Sequence, residues 1–158
     1  MSNGDRNEEQ ALALKLWVVL SRAHAAIEAH AAAQVSRHGL TLAEFAILEA
    51  LFHRGPMLLG EVQRRILVSS GGITYLVDRL ERKGLVERRD CPEDRRARYA
   101  ALTAGGEALI SEIFPEHARY LEHALGGLDA AGKEEAVRLL RGLGLHAAET
   151  TPLASGAE

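Results

Sequence analysis

The side chains best placed for chemistry fall between Ser69 and Thr103. Ser69, Ser70, Gly71, Thr74 and Tyr75 offer hydroxyls and small side chains; Arg79, Arg82, Lys83, Arg88, Arg95, Arg96 and Arg98 offer cations. That set does not break bonds; it hydrogen-bonds and pairs with negative charge. A helix N-terminus favours phosphate, and small side chains permit close approach. An arginine is held electrostatically in a narrow A·T-rich minor groove. Capping and ordinary solvated surface are the competing reading for each of these residues.

The elements that must position them are a helix and a hairpin. Ile73, Leu76, Val77 and Leu80 fall at i, i+3, i+4 and i+7, one apolar stripe. Gly71, Thr74, Tyr75, Asp78 and Arg82 then point away from it. Ser69 or Ser70 serves as N-cap and Gly84 as C-terminal stop. Asp78 would repel an anionic partner, and Arg82 at i+4 is its expected neutraliser. Leu85 to Asp90 and Arg98 to Leu102 read as strands. The turn between them carries Cys91, Pro92, Asp94, Arg95 and Arg96, with Asp94 able to brace one arginine while the other reaches outward. A small-residue helix beside an arginine-tipped hairpin suits reading a DNA groove while gripping the adjacent backbone.

Upstream, a long helix is expected from about Glu8 to Ser36, with Leu12, Leu16, Val19, Leu20, Ala23 and Ile27 as its buried stripe. Thr41 and Glu44 have capping-box spacing, and Leu40 with Phe45 has staple spacing. Phe45, Leu48, Leu51 and Phe52 make the next apolar side before Arg54-Gly55-Pro56 breaks the helix. A short helix from about Leu59 to Ile66 turns Val62 and Ile66 inward and Arg64 or Arg65 outward, although Leu58 stands where a polar cap is usual. Two short helices, a tight link and a hairpin make a winged helix-turn-helix. Downstream, Leu109, Ile113, Leu121 and Leu125 continue a long helix that Pro115 should kink. Asp129 caps a last helix with Val137, Leu139, Leu140 and Leu143 on one face. The fold class is therefore mainly α with a small β-hairpin wing. Residues 8–40 and 104–147 form a helical dimerisation region, 41–103 the winged helix-turn-helix, and 148–158 a loose tail. The long helices at the two chain ends have more apolar face than the middle lobe can cover, which points to a two-fold homodimer.

The 158 residues carry a net charge of −3 and are 47% hydrophobic. A wholly basic nucleic-acid binder is excluded, yet Arg54 to Arg98 holds eleven Lys/Arg against seven Asp/Glu while the remainder holds eight against fifteen. One cationic face on an acidic body is the implied distribution. No apolar run reaches the roughly 18 residues of a membrane span. No secretory leader is evident, and a single cysteine fits a reducing compartment, so a cytoplasmic location is expected. Cys91 has no resolving partner in the chain, which disfavours a redox switch but leaves it as an alternative. The seven histidines show no metal-ligand spacing, and no phosphate loop, nucleophile elbow or carboxylate pair stands out. Neither a metal, a cofactor nor an enzymatic activity is expected. Trp17, His53 and His117 lie on helices expected to converge where the reader meets the dimer lobe, as an aromatic wall with polar handles for a small ligand. Packing is the competing reading there.

Asp94-Arg95-Arg96, then Leu102-Thr103 and Gly106, together with Val77-Asp78-Arg79-Leu80-Glu81 and Lys83-Gly84-Leu85-Val86, resemble the MarR family of bacterial transcription regulators. The resemblance runs from about Leu12 to Leu143, and Phe114-Pro115-Glu116-His117 resembles a subset of the family. It implies a homodimer on double-stranded DNA, usually a repressor released from an inverted-repeat operator by a small phenolic or aromatic ligand. Many members carry a cation where this chain has Tyr75. A winged-helix protein-interaction module without DNA binding is the alternative from another class.

Overall fold

The computed structural model describes residues 3–66, 70–90 and 98–150. Ser69, Cys91, Asp94, Arg95, Arg96 and the tail beyond Thr150 lie outside them, as does the side chain of Ser70. In order, the elements are α1 (Asn3–Ser36), α2 (Leu42–Arg54), β1 (Met57–Leu58), α3 (Leu59–Ile66), α4 (Ser70–Arg82), β2 (Val86–Asp90), β3 (Arg98–Leu102), α5 (Ala104–Ala124) and α6 (Ala130–Glu149). They form two compact units, divided after Ala124.

The first unit is built on local signals that agree with one another. The turn after α1 closes on Gly39, whose φ of 70° lets the chain turn back. The Gly39 N–H donates to the Ser36 carbonyl (3.0 Å), and Leu40 N–H to Val35 (3.4 Å). α2 starts with a full capping box: Glu44 N–H donates to Thr41 Oγ1 (3.2 Å), and Thr41 N–H donates to Glu44 Oε2 (2.8 Å). Gly55, at φ 76°, ends it. α3 lacks a capping side chain at Leu58, and Glu61 reaches back to accept from the Leu58 N–H (3.3 Å). α4 ends on Gly84 (φ 71°), with bonds from Gly84 to Glu81 and Leu85 to Leu80. Phe45, Ile47, Leu48, Leu51, Val62, Ile73, Val77 and Leu80 fill the core with Val86, Ile110 and Ile113.

Several expectations change. The hairpin is part of a three-stranded antiparallel sheet, ordered β1-β3-β2. Met57 and Leu58 pair with Ala100 and Tyr99, a strand too short to show alternation in sequence. Phe52 is exposed, and Ile47 takes its place in the core. Asp78 is neutralised by Arg88, not Arg82: Oδ1 lies 2.6 Å from Arg88 Nη2, because the hairpin folds back against α4. Arg82 instead donates to the Asp78 carbonyl (3.2 Å). α1 begins before Glu8, and its expected stripe is not buried within the protomer. Leu12 and Leu14, on opposite sides of the helix, are each 67% exposed. α1 is apolar around most of its circumference in this half, so it has no single buried side to show.

α6 forms the second unit with its flanking turn. Asp129 caps it, accepting from the Gly132 N–H (2.8 Å), and the helix runs through Gly142 and Gly144. Val137, Leu139, Leu140 and Leu143 are exposed. Among the described residues no helix is long and apolar enough to cross a membrane.

Candidate nucleic-acid interface

α4 sits on the core through Ile73, Val77 and Leu80 and turns its other face outward. Gly71, Thr74 and Arg82 are exposed there, and Tyr75 is 56% exposed. Among the described residues nothing lies within 4 Å of where a Cβ on Gly71 would stand, which leaves room there for close approach.

Most of the remaining described cations of the stretch are paired with carboxylates. Arg88 ties the wing to α4: its backbone N–H donates to Glu81 Oε1 (2.9 Å), its guanidinium pairs with Glu81 and Asp78, and Nη2 lies 3.4 Å from the Thr74 carbonyl. Arg89 pairs with Glu87 (2.6 Å), and Arg98 with Asp90. Lys83 Nζ lies 2.9 Å from both oxygens of Glu44 and 2.8 Å from the Gly39 carbonyl. Arg79 Nε lies 3.0 Å from Glu44 Oε1. Arg88, Arg89 and Arg98 are thus paired with carboxylates of the stretch itself, and Arg79 and Lys83 with Glu44 outside it. Among the described residues no carboxylate pairs with Arg82, while Arg64 and Arg65 are exposed on α3.

Glu44 is the residue that sequence reasoning did not connect to this face. Its capping role was readable; its charge was not, because Arg79 and Lys83 are far away in sequence. Its side chain is fully buried. Burial alone would push the carboxyl up; the Thr41 N–H, Lys83 and Arg79 outweigh it and hold it below the ordinary carboxylate range. The Tyr75 hydroxyl, and then Glu44, hold Arg79 more firmly protonated than usual.

A second polar cluster joins α1 to α5. Gln34, buried, donates through Nε2 to Glu116 Oε2 (3.2 Å) and accepts at Oε1 from His117 Nδ1 (3.0 Å). His38 Nε2 lies 3.1 Å from Glu116, and Arg37 also pairs with it, its guanidinium 5.2 Å from the Tyr120 ring centre. The His38 bond, opposed by burial and helped by Gln34 and Arg37, holds Glu116 below its ordinary value. The His117 ring packs tilted against Phe45, centres 4.4 Å apart, and burial, partly offset by Glu49, pushes its pKa down.

His53 is elsewhere, 4.8 Å from the Phe114 ring and 5.3 Å from Phe52. It lines an open groove of about 550 Å³ with Leu42, Ala46, Arg54, Arg65 and Ile66. Trp17 is 66% exposed and does not line that groove, nor does His117. Of the three candidate ligand residues, His53 is the one that lines this groove.

Residues 38–97 match the model of the MarR family. The chain is 41% identical over 134 residues to the HTH-type transcriptional regulator MhqR of Bacillus subtilis, covering 85% of this chain and 92% of that one. Bordetella bronchiseptica BpsR, whose DNA binding is regulated by 6-hydroxynicotinic acid, is similar in structure, with a TM-score of 0.75, 28% identity and coverage of 82% of this chain and 98% of its own. Sco3205 of Streptomyces coelicolor, solved in complex with DNA, shares the fold at a TM-score of 0.79 and 24% identity, over 85% of this chain and 86% of its own.

Proposed function

The chain belongs to the MarR family of DNA-binding transcriptional regulators, and from that premise we propose that it is a homodimeric repressor released from its operator by a small aromatic ligand. Each α4 enters a major groove, with Ser69, Ser70, Gly71, Thr74 and Tyr75 at its leading edge and Arg82 on the flanking phosphates. Arg95 and Arg96 of each wing grip the neighbouring minor groove. Arg79, Lys83 and Arg88 hold the reader together and are not its phosphate grips. The observation that carries this reading is the open, small-residue outer face of α4 on a helix whose other side is locked into the core. Apolar exposure on α1 and, in the other unit, on α6 supports a partner chain. Two-fold symmetry then calls for an inverted-repeat operator with half-sites about one helical turn apart.

A small aromatic effector is supported by the regulation of BpsR. The groove at His53 offers an aromatic ring apolar contacts from Leu42, Ala46 and Ile66, and its polar lining is mixed, Arg54 and Arg65 with Glu28 and Glu49. The test is selection of protein-bound genomic fragments with and without added phenols and aromatic acids. An inverted repeat recovered without ligand and lost with one supports the proposal. Failure to enrich any sequence sinks it.

A further inference from the structure

The family reading assigns α4 to the groove; which atom reads a base, and with what polarity, rests on that reading and goes beyond it. Glu44, Arg79 and Tyr75 form a chain from the buried start of α2 to the exposed face of α4. Glu44 Oε1 takes Arg79 Nε at 3.0 Å. Arg79 Nη1 then lies 3.5 Å from the Tyr75 hydroxyl oxygen, and its guanidinium carbon 5.8 Å from the centre of the Tyr75 ring. Lys83, just past the end of α4, fastens the same carboxylate to the Gly39 carbonyl. The exposed Tyr75 is therefore held by a residue that is itself anchored to a buried charge.

Hydrogen-bond polarity follows from the donor inventory. A guanidinium has no acceptor, so the phenol oxygen must accept from Arg79. The phenol hydrogen then points elsewhere, and Tyr75 offers the solvent side a donor. In the major groove the acceptors are purine N7, guanine O6 and thymine O4; the amino groups of adenine and cytosine are donors and do not match. Arg79 commits its Nε–H to the buried Glu44 carboxylate and one Nη1 hydrogen to Tyr75.

We propose that Tyr75 is a specificity-determining residue that donates its hydroxyl hydrogen to a base-edge acceptor in the major groove, with Arg79 setting that polarity and the buried Glu44 positioning Arg79. This differs from a cation at the same place, which would serve a phosphate as well as a base.

The experiment uses the strongest operator recovered by the genomic selection and the full-length protein. Operators carry one acceptor-deleted analogue at a time: 7-deazapurines for N7, 2-aminopurine for guanine O6, 5-methyl-2-pyrimidinone for thymine O4. In the wild type one position per half-site loses about tenfold in affinity, the size of a single lost base contact. Y75F lowers affinity for the natural operator and is insensitive to the analogue at that position. E44Q and R79A, checked for folding by their unfolding curves, each shrink the analogue penalty to threefold or less. Both keep the wild-type salt slope on random duplex, whereas removal of a phosphate clamp takes about one unit from it. If Y75F shows the same analogue profile as wild type, Tyr75 is not the reader. If E44Q and R79A retain the full tenfold penalty, or R79A loses slope, the relay is wrong while the DNA-binding assignment stands. If no operator is recovered at all, it is the family-level proposal that fails.

Discussion

Gly106 approaches Leu85 so closely that a Cβ on it would stand 1.9 Å from the Leu85 carbonyl oxygen. That oxygen already accepts from the Thr103 N–H (3.1 Å), while Thr103 Oγ1 donates to Gly84 (2.6 Å) and accepts from the Gly106 N–H (3.0 Å). The first turn of α5 is thereby fastened to the turn after α4 and the root of the hairpin. The obstacle is backbone and cannot swing aside, so Gly106→Ala is expected to destabilise the protein by about 3 kcal/mol, the upper part of the overpacking range. Gly105, whose Cβ would meet its nearest atom at an ordinary 3.5 Å, is the control. Gly105→Ala should leave stability within about 1 kcal/mol of wild type. Urea unfolding of the two variants checks the contrast.

Lys83→Met removes one of two cations from a carboxylate without solvent exposure. Stripping a partner from a buried pair costs about 3–5 kcal/mol. Arg79 remains and Lys83 is partly exposed, so a loss of about 2 kcal/mol is expected in urea. A denaturation midpoint equal to wild type would mean that water reaches Glu44 and the ion pair is ornamental.

What the sequence disclosed, and what it withheld, divides along contact range. The Thr41–Glu44 capping box, the Gly84 stop and the Ile73–Leu80 stripe depend on neighbours within one or two turns, and each was readable. Glu44 pairing with Lys83, Arg88 with Asp78, and Gln34 with Glu116 join positions brought together only by the fold. None of these pairings is visible until the packing is known. β1 was missed because two residues carry no period. Of the α1 stripe, Leu12, Leu16 and Val19 stay exposed in one protomer and Leu20 and Ile27 are half-buried, in keeping with an apolar face larger than one protomer covers. On the candidate interface, the outer face of α4 followed from helical geometry. Which cations were already committed to internal carboxylates did not.

His117 is buried against Phe45 and bonded to Gln34, and its pKa is depressed from 6.5, first by burial. The unfolded chain therefore binds a proton before the folded one does. Its contribution to stability is complete above about pH 6.5 and is lost as the pH falls through the lower, folded-state value. Glu44 and Glu116, also depressed, begin to cost stability only below their ordinary value of 4.5. Between pH 7 and 5 the decline should belong to the histidine. His117→Gln should flatten that part of the curve. An equally steep decline in the variant would assign it to another group.

The surface of α1 tests the proposed dimer from two sides. Leu12 and Leu14 stand roughly opposite each other on the helix and are equally exposed in the protomer. A dimer that uses one stripe of α1 needs Leu12 but not Leu14. A dimer in which partner elements enclose α1 needs both. The apolar character of α1 around most of its circumference favours enclosure. Each leucine occurs twice in a symmetric dimer, and burying one is worth about 1.5–3 kcal/mol. Leu12→Glu and Leu14→Glu should therefore each weaken the dimer by at least about 100-fold, since 1.4 kcal/mol is a factor of ten. Sedimentation equilibrium gives the dissociation constants, and operator binding should fall in parallel because a lone protomer reaches one half-site. If Leu14→Glu stays as dimeric as wild type while Leu12→Glu dissociates, the single-stripe interface is correct. If neither changes the association state, α1 is not in the interface.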